Sequence, residues 1–393
     1  GAFWKADGAA WENPANKFDK KTREEEGNQE IVDFRDLLIS SPSSSKTSFL
    51  WENVNVPAMI NYMAATSLIR QFDQHGHNFY VFYDKDGTDR WWMLPWDFDQ
   101  TWEPSSNRCG TEPMYDPGCT TNAFLDAMLE VPEFRDMHYR RLRTMMDEQL
   151  SEFRYEDFYA DLLALYGDDA DLELAKWDRA DFTELPPDIA TRRAALNGGV
   201  GAGVIPGPQS PSPVVVINEI HYNPFADGDE FIELYNPSSS EAIDLSGWTI
   251  DAADITIPGG TVLLPESYVV FVEDDAFFSD THSGTDNIFV GGTYSGGFSG
   301  GGELVELRDD NGTLVDVVDY DDVAPWPTTP DGQGPSLELI DPALDNSQAA
   351  SWAPSKQFDG TPGEENDPDS DGGPPPPPPL TLVDNGDTWN YLD

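Results

Sequence analysis

The sequence has few basic residues and no long apolar run. It carries 22 Lys and Arg against 73 Asp and Glu, which gives a formal net charge of −51. Nucleic acids and anionic membranes are bound by basic surfaces, so the charge disfavours both as partners through bulk electrostatics. No apolar stretch reaches the length of a membrane-spanning helix, so we expect no membrane span.

Cysteine is also scarce, since the chain has only Cys109 and Cys119. These two residues flank a short loop rich in Gly, Pro and Asp. A disulfide between them would close that loop and add about 2–3 kcal/mol to stability. Such a bond is typical of extracytoplasmic proteins, and two free thiols are the alternative.

The charge and the composition divide the chain into segments. After residue 197 the only basic residues are Arg308 and Lys356. The N-terminus lacks the basic start and apolar stretch of a signal peptide, and we expect both ends to be cuts in a longer chain. The predicted segments are a first domain at 1–197, a Gly/Pro-rich linker at 198–213, a strand-rich domain at 214–360, an acidic and Pro-rich linker at 361–379, and the start of a truncated further domain at 380–393.

The first domain is predicted to be mainly helical, with one β-hairpin. Residues 56–72 show helical spacing of apolar residues with Pro57 in the first turn. Strands at 78–84 and 90–96 follow, with the turn signal Asp86-Gly87 between them. Further helices are predicted within 121–197. We assign the tryptophans of the second strand, Trp91, Trp92 and Trp96, to the core of the sheet.

The strand-rich domain consists of short runs separated by Gly, Pro, Asn and Asp, which is typical of an antiparallel β-sandwich. Asn311-Gly312 predicts a hairpin turn. Trp248 is predicted to lie in the core. Glu219, Glu230 and Glu233 could be imagined as a cation site, but solvent-facing strand glutamates are the simpler expectation.

The polar residues that precede the first strand and follow the second strand of the predicted hairpin suggest phosphoryl transfer. Asp73 and Asn78 have the spacing D-x-x-x-x-N, and Asp97 and Asp99 follow the second strand. In phosphoryl transfer one Asp accepts or orients the proton of the substrate hydroxyl, and an Asn and a second Asp hold Mg²⁺. Ordinary turn residues are the alternative, and a metal-dependent hydrolase built on Asp97 and Asp99 is another.

The same region resembles the CotH kinase family of spore-coat-type atypical protein kinases. The resemblance rests on Asn78-Phe79-Tyr80 and on "PWDFDQTW", which begins at Pro95, and it covers residues 1–197. It implies a kinase-like fold, ATP with Mg²⁺ or Mn²⁺, and a Ser-rich protein substrate. It also implies Asp73 as the catalytic Asp, Asn78 and Asp97 as metal ligands, and Asp99 as the alternative ligand.

One part of the family pattern is missing. The N-terminal lobe, with its phosphate-covering loop and Lys–Glu pair, is expected to precede residue 1, and Lys5 is not a convincing match for that lysine. We therefore expect this fragment alone to bind ATP poorly.

The second half is similar to the lamin-tail domain. The similarity rests on Asn218-Glu219-Ile220, on the run from Glu230 to Asn236, and on the run from Ile243 to Trp248. It implies an immunoglobulin-like β-sandwich that binds a protein or cell-surface partner in bacterial secreted proteins.

Together these features predict a multidomain α+β chain, with a kinase-like C-terminal lobe followed by the sandwich. The predicted function is a secreted or cell-surface protein kinase that phosphorylates Ser/Thr-rich extracellular or coat proteins. The alternative is a non-catalytic scaffold that serves adhesion or assembly.

Overall fold

The structure is a computed structural model. The residues that it describes are 1–71, 76–98, 101–102, 122–151, 153–177, 185–198, 201–226, 228–282 and 287–369. Helices predominate in the first half of these residues and β-sheets in the second half. None of the helices in the described ranges is both long and apolar enough to cross a bilayer.

The first half joins a four-stranded antiparallel sheet to a group of helices, in the sheet order β2-β1-β3-β4. Its elements are β1 (Ala2–Ala6), α1 (Pro14–Lys17), β2 (Phe18–Lys20), α2 (Gln29–Ser40), α3 (Ser43–Asn53), α4 (Val56–Leu68), β3 (Phe79–Tyr83), β4 (Trp91–Pro95), α5 (Ala123–Glu130), α6 (Pro132–Gln149), α7 (Arg154–Trp177) and α8 (Leu185–Asn197).

Helix α4 is the central helix of this half. The side chain of Asn55 caps its N-terminus by accepting a hydrogen bond from the Ala58 amide at 3.0 Å, and Pro57 occupies the first turn. The helix packs between β4 and α6. It ends at Leu68, earlier than the sequence predicts, because Arg70 adopts a left-handed backbone (φ 54°) that cannot continue a helix.

The second half is a two-layer sandwich. A six-stranded mixed sheet has the order β12-β11-β6-β5-β15-β16, a four-stranded sheet has the order β14-β13-β8-β9, and β10 pairs with β7. Its elements are β5 (Val216–His221), β6 (Phe231–Tyr235), β7 (Ile243–Asp244), β8 (Thr249–Ile250), β9 (Ile255–Thr256), β10 (Val262–Leu263), β11 (Tyr268–Val272), α9 (Asp275–Thr281), β12 (Val290–Thr293), β13 (Glu303–Arg308), β14 (Leu314–Tyr320), β15 (Leu337–Leu339) and β16 (Trp352–Pro354).

Two sequence expectations for the sandwich agree with this arrangement. Gly312 lies in the turn between β13 and β14 with φ 80°, as a hairpin turn requires. Trp248 is buried in the core, where 2% of its surface is exposed.

The two halves share a buried interface. The Arg90 guanidinium, at the start of β4, forms a two-pronged ion pair with Asp275 of the sandwich, in which Nη2 lies 2.6 Å from Oδ1. The same guanidinium donates to the Trp51 carbonyl at 2.8 Å. Both charged side chains are buried, so removing either partner would leave an uncompensated charge away from water.

A second set of interface contacts involves α6 and α4. Arg141 donates to the Asn61 side chain at 3.0 Å and to Asp244 of the sandwich at 3.1 Å. Gly260 lies against α4, where a Cβ atom would be 2.0 Å from the Pro57 carbonyl oxygen. Only glycine fits at this point, because any side chain would separate the two halves.

The predicted linker at 198–213 also contacts the sandwich. Gln209 accepts a hydrogen bond from the Asp244 amide at 2.7 Å, and the Ser210 amide donates to Glu241 at 2.7 Å. In its described residues, 201–213, this segment therefore lies against the sandwich that follows it.

Candidate functional site

The β3–β4 hairpin brings Asn78 and Asp97 to one end of the sheet. Phe79, the first residue of β3, pairs with Pro95, the last residue of β4. Asn78 immediately precedes this pair, and Asp97 is the second residue after it. The two residues therefore lie at the same end of the sheet, where Asn78 is half-buried and Asp97 is exposed.

Both residues have unusual backbone conformations. Asn78 has φ 63° and Asp97 has φ 56°, in the left-handed region. Asn and Asp are the non-glycine residues that enter this region most readily. The chain thus turns sharply on entering β3 and on leaving β4, and such turns are common at functional sites.

The C-terminal end of α4 supports the chain that follows β4. The Ile69 carbonyl accepts a hydrogen bond from the Trp102 amide at 2.8 Å. The Gln71 side chain donates to the Asp97 carbonyl oxygen at 3.4 Å. These contacts connect the most buried helix of the first half to the backbone of Asp97, which fixes the position from which its carboxylate projects.

Lys5 is not a convincing match for the family's lysine, yet β1 places it at this same end of the sheet. Lys5 pairs with Tyr80 across β1 and β3. Its Nζ atom lies 5.0 Å from the centre of the Trp96 ring, a cation–π contact. Trp96 is 44% exposed, so the expectation that it belongs to the core is wrong, whereas Trp91 is buried as expected. The strand has ended at Pro95, so Trp96 no longer faces the helices.

The other predicted site residues lie outside the described residues. These are Asp73, Asp99, Cys109 and Cys119. Among the described residues, no three His, Cys, Asp or Glu side chains converge closely enough to hold a metal ion. The described part contributes two oxygen-bearing side chains, Asn78 and Asp97, of the kind that Mg²⁺ prefers. Their metal-binding role stays a prediction.

A second acidic group lies in the sandwich. Glu219 on β5 pairs directly with Glu233 on β6 and with Glu338 on β15. Directly opposed residues share one face of a sheet, so the three carboxyl groups form a row across three neighbouring strands. All three residues are fully buried. We call them the glutamate row.

The expectation that Glu219 and Glu233 face solvent is therefore wrong. The three carboxyl groups are covered by residues 359–369, which hydrogen-bond to all of them. We call these residues the C-terminal strap. They belong in part to the segment that the sequence assigns to a linker, and Glu338 of β15 is a third member of the row that the sequence does not indicate. No local sequence signal marks this burial, because the strap residue Thr361 that covers Glu219 lies more than a hundred residues further along the chain.

The C-terminal strap binds the glutamate row through short hydrogen bonds. The Thr361 amide donates to Glu219 Oε1 at 3.0 Å, and the Thr361 hydroxyl donates to Glu338 at 2.7 Å. The Gly363 amide donates to Glu233 at 2.6 Å. Gly360 lies so close that a Cβ atom would be 2.1 Å from Glu219 Oε1.

Burial changes the protonation of the glutamate row. It raises the pKa of Glu233 to about 8 and the pKa of Glu338 to about 7. Burial, together with the repulsion of the two neighbouring carboxyl groups, raises the pKa of Glu219 well above its usual value. Glu219 Oε2 and Glu338 Oε2 accept no hydrogen bond from the described residues. The row therefore retains protons near neutral pH.

Comparison with known families identifies both halves. The sequence model of the CotH kinase protein family matches residues 3–185, and that of the lamin tail domain matches residues 208–322. The chain combines a CotH kinase region with a lamin tail domain. Both resemblances noted in the sequence are thereby confirmed. The curated proteins contain no match to the chain.

The two matches assign the hairpin end and the glutamate row to different regions of the chain. The hairpin end with Asn78 and Asp97 belongs to the CotH kinase region, and the glutamate row belongs to the sandwich that contains the lamin tail domain. The C-terminal strap lies beyond residue 322, where the lamin tail match ends.

Proposed function

We propose that the CotH kinase region belongs to a metal- and ATP-dependent protein kinase. It would phosphorylate Ser or Thr in extracellular or coat proteins, outside the cell or at its surface. The lamin tail domain would bind a protein or a cell-surface partner. The observation that carries the proposal is the position of Asn78 and Asp97 at one end of a hairpin within a region that matches the family.

The residues of the hairpin end fit the implied cofactors. Asn78 and Asp97 offer an amide oxygen and a carboxylate, which suit Mg²⁺ or Mn²⁺. ATP with the bound metal would supply the phosphoryl group, and the metal would neutralise its developing charge. Asp97 is exposed, so it is accessible to a ligand from solution.

The other roles rest on the family match. Asp73 would accept or orient the proton of the acceptor hydroxyl, and Asp99 would be the alternative metal ligand to Asp97. Lys5 adds a positive charge at the same edge, held over Trp96. The acidic surface of the chain favours acceptor proteins that are not strongly acidic themselves.

The test is a phosphoryl-transfer assay on the full-length parent. It uses radiolabelled ATP, Mg²⁺ or Mn²⁺, and a Ser-rich acceptor protein. We expect label on the acceptor with the native protein and loss of label with Asp73→Ala and with Asp97→Ala. Asp86→Ala is the matched control, because Asp86 is an exposed aspartate in the turn at the opposite end of the same hairpin.

The possible results separate the proposal from its alternatives. No label with either metal, from protein shown to be folded, would favour the non-catalytic scaffold. Equal loss in Asp86→Ala and Asp97→Ala would mean that the hairpin is needed only for folding. Release of phosphate to water without label on the acceptor would favour a hydrolase built on Asp97 and Asp99.

A further inference from the structure

Helix α7 exposes an unusual amount of apolar surface. Of the nineteen large apolar side chains that are exposed among the described residues, seven lie on α7, and Phe153 directly precedes it. Leu165 and Leu172 are 69% and 68% exposed. Single exposed apolar residues are normal, but a group of this size on one element indicates an interaction surface.

Four of these residues lie along one face of α7, where Asp168 and Asp169 separate Leu165 from Leu172. Phe158, Leu162, Leu165 and Leu172 fall within about 80° of one another on a helical wheel and span about 20 Å along the axis. The side of α7 that faces the rest of the chain is a different one, since Tyr159 and Ala170 are half-buried. The described residues therefore leave the stripe, defined by these four residues, open.

Acidic residues flank the stripe. Helix α7 contains seven Asp and Glu residues against two basic ones, Arg154 and Lys176. Asp161 and Asp168 lie along one margin of the stripe, and Asp169 lies between Leu162 and Leu172 on the wheel. A partner whose apolar residues are bordered by Lys or Arg would therefore match both the apolar surface and the charge.

The charges argue against the other occupants. A second copy of the chain would bring the same acidic margins together, and each copy carries a net charge of −51. An anionic membrane would be repelled by these residues, because helices that lie on membranes carry basic polar faces. The chain after residue 197 has only Arg308 and Lys356, so it holds no basic helix that could fold back onto α7.

We propose that the stripe on α7 is a docking site for a basic amphipathic helix of another protein. The occupant presents leucine-like side chains at helical spacing to Leu165 and Leu172. Its Lys or Arg residues lie against Asp161, Asp168 and Asp169. Docking takes place on a helix surface and requires no phosphoryl transfer, so this proposal is independent of the proposed kinase activity.

The test measures binding of a labelled 18-residue peptide with Leu at positions i, i+3, i+4 and i+7 and Lys elsewhere. A peptide of the same composition in shuffled order tests for nonspecific charge attraction. The protein variant is Leu165→Gln with Leu172→Gln, since glutamine retains good helix propensity. The matched control variant is Val323→Gln with Leu344→Gln, which changes two exposed apolar residues of the sandwich.

We expect the α7 variant to bind the patterned peptide at least about tenfold more weakly, while the control variant changes affinity by less than about twofold. Circular dichroism with thermal melting verifies that both variants stay folded. Equal binding by both variants would overturn the proposal, and so would equal binding of the shuffled peptide. A dimer in sedimentation that is lost in the α7 variant would assign the stripe to self-association instead.

Discussion

The hairpin end and the glutamate row differ in the solvent exposure of their carboxyl groups. At the hairpin end Asp97 is exposed, and the backbones of Asn78 and Asp97 are left-handed. In the glutamate row every carboxyl group is buried and bonded to the sheet or the C-terminal strap. An exposed carboxylate can bind a ligand from solution, whereas a buried one contributes to stability and titrates with folding.

This difference predicts opposite responses to mutation. Changes at the hairpin end should alter activity with little effect on stability. Changes at the glutamate row should alter stability and its pH dependence, without a direct effect on phosphoryl transfer.

The largest effect is expected at Asn78. In the full-length parent, Asn78→Gly should lower phosphoryl transfer at least about 100-fold, because the amide oxygen is lost. Glycine tolerates the left-handed backbone, so the free energy of unfolding should change by less than about 1 kcal/mol. Kinetics with radiolabelled ATP and urea denaturation measure the two quantities. Asn78→Asp, which keeps an oxygen ligand, should retain part of the activity, and an active Asn78→Gly would show that Asn78 is only a turn residue.

The next effect concerns the contact between the C-terminal strap and the glutamate row. Gly360→Ala should lower the free energy of unfolding by about 3 kcal/mol, since it adds a clash with Glu219 to the strain of a left-handed backbone. Gly312→Ala is the matched control, because Gly312 has the same φ of 80° and no atom within 4 Å of the added carbon. It should cost about 1 kcal/mol. Equal losses in urea denaturation would mean that the strap is not packed against the row.

The third effect is a dependence of stability on pH. The pKa values of Glu233 and Glu338 are raised to about 8 and about 7. The folded state therefore holds protons that the unfolded chain releases above about pH 4.5. The resulting stabilisation is complete below about pH 4.5, decreases as the pH rises above that value, and is lost once the pH passes 7 to 8. From pH 7 to 8.5 the free energy of unfolding should fall on the order of 1 kcal/mol.

Glu219→Gln should reduce this dependence. Glu219 Oε1 accepts both of the residue's hydrogen bonds and Oε2 accepts none, so a glutamine can keep both bonds while removing the charge. The control is Glu364→Gln, an exposed residue of the C-terminal strap, which should leave the slope unchanged. Buried histidines titrate at lower pH, since burial lowers the pKa of His221 to about 4, and so they do not disturb this range. A slope unchanged by Glu219→Gln would contradict proton retention by the row.

The sequence predicted much of the fold because local signals agreed with tertiary packing. The turn signal Asp86-Gly87 and the aromatic strands beside it fixed the hairpin, which placed Asn78 and Asp97 at one edge. The helix from Val56 followed from its apolar spacing and Pro57. These features depend on residues that are close together in the chain, so local sequence patterns are enough to predict them.

The features that the sequence could not predict depend on contacts between segments that are far apart in the chain. Glu219 lies opposite Glu338 and beneath Thr361, more than a hundred residues further along the chain. Strand periodicity separates two faces but does not show whether a remote strap covers the outer one. Lys5 is a similar case, since its place beside Trp96 requires β1 to pair with β3.

The smallest effect is expected at Lys5, which lies at the hairpin end that holds Asn78 and Asp97. Lys5→Gln should lower the free energy of unfolding by about 0.5–1 kcal/mol, because it removes an exposed cation–π contact with Trp96. Lys20→Gln is the control, since Lys20 lies 4.8 Å from the Trp4 ring but is buried and paired with Glu30. Its loss should exceed that of Lys5→Gln, because burial strengthens the same contact. If Lys5→Gln also raises the KM for ATP in the full-length parent, the charge at this edge contributes to nucleotide binding. An unchanged KM would confine Lys5 to holding Trp96 in place.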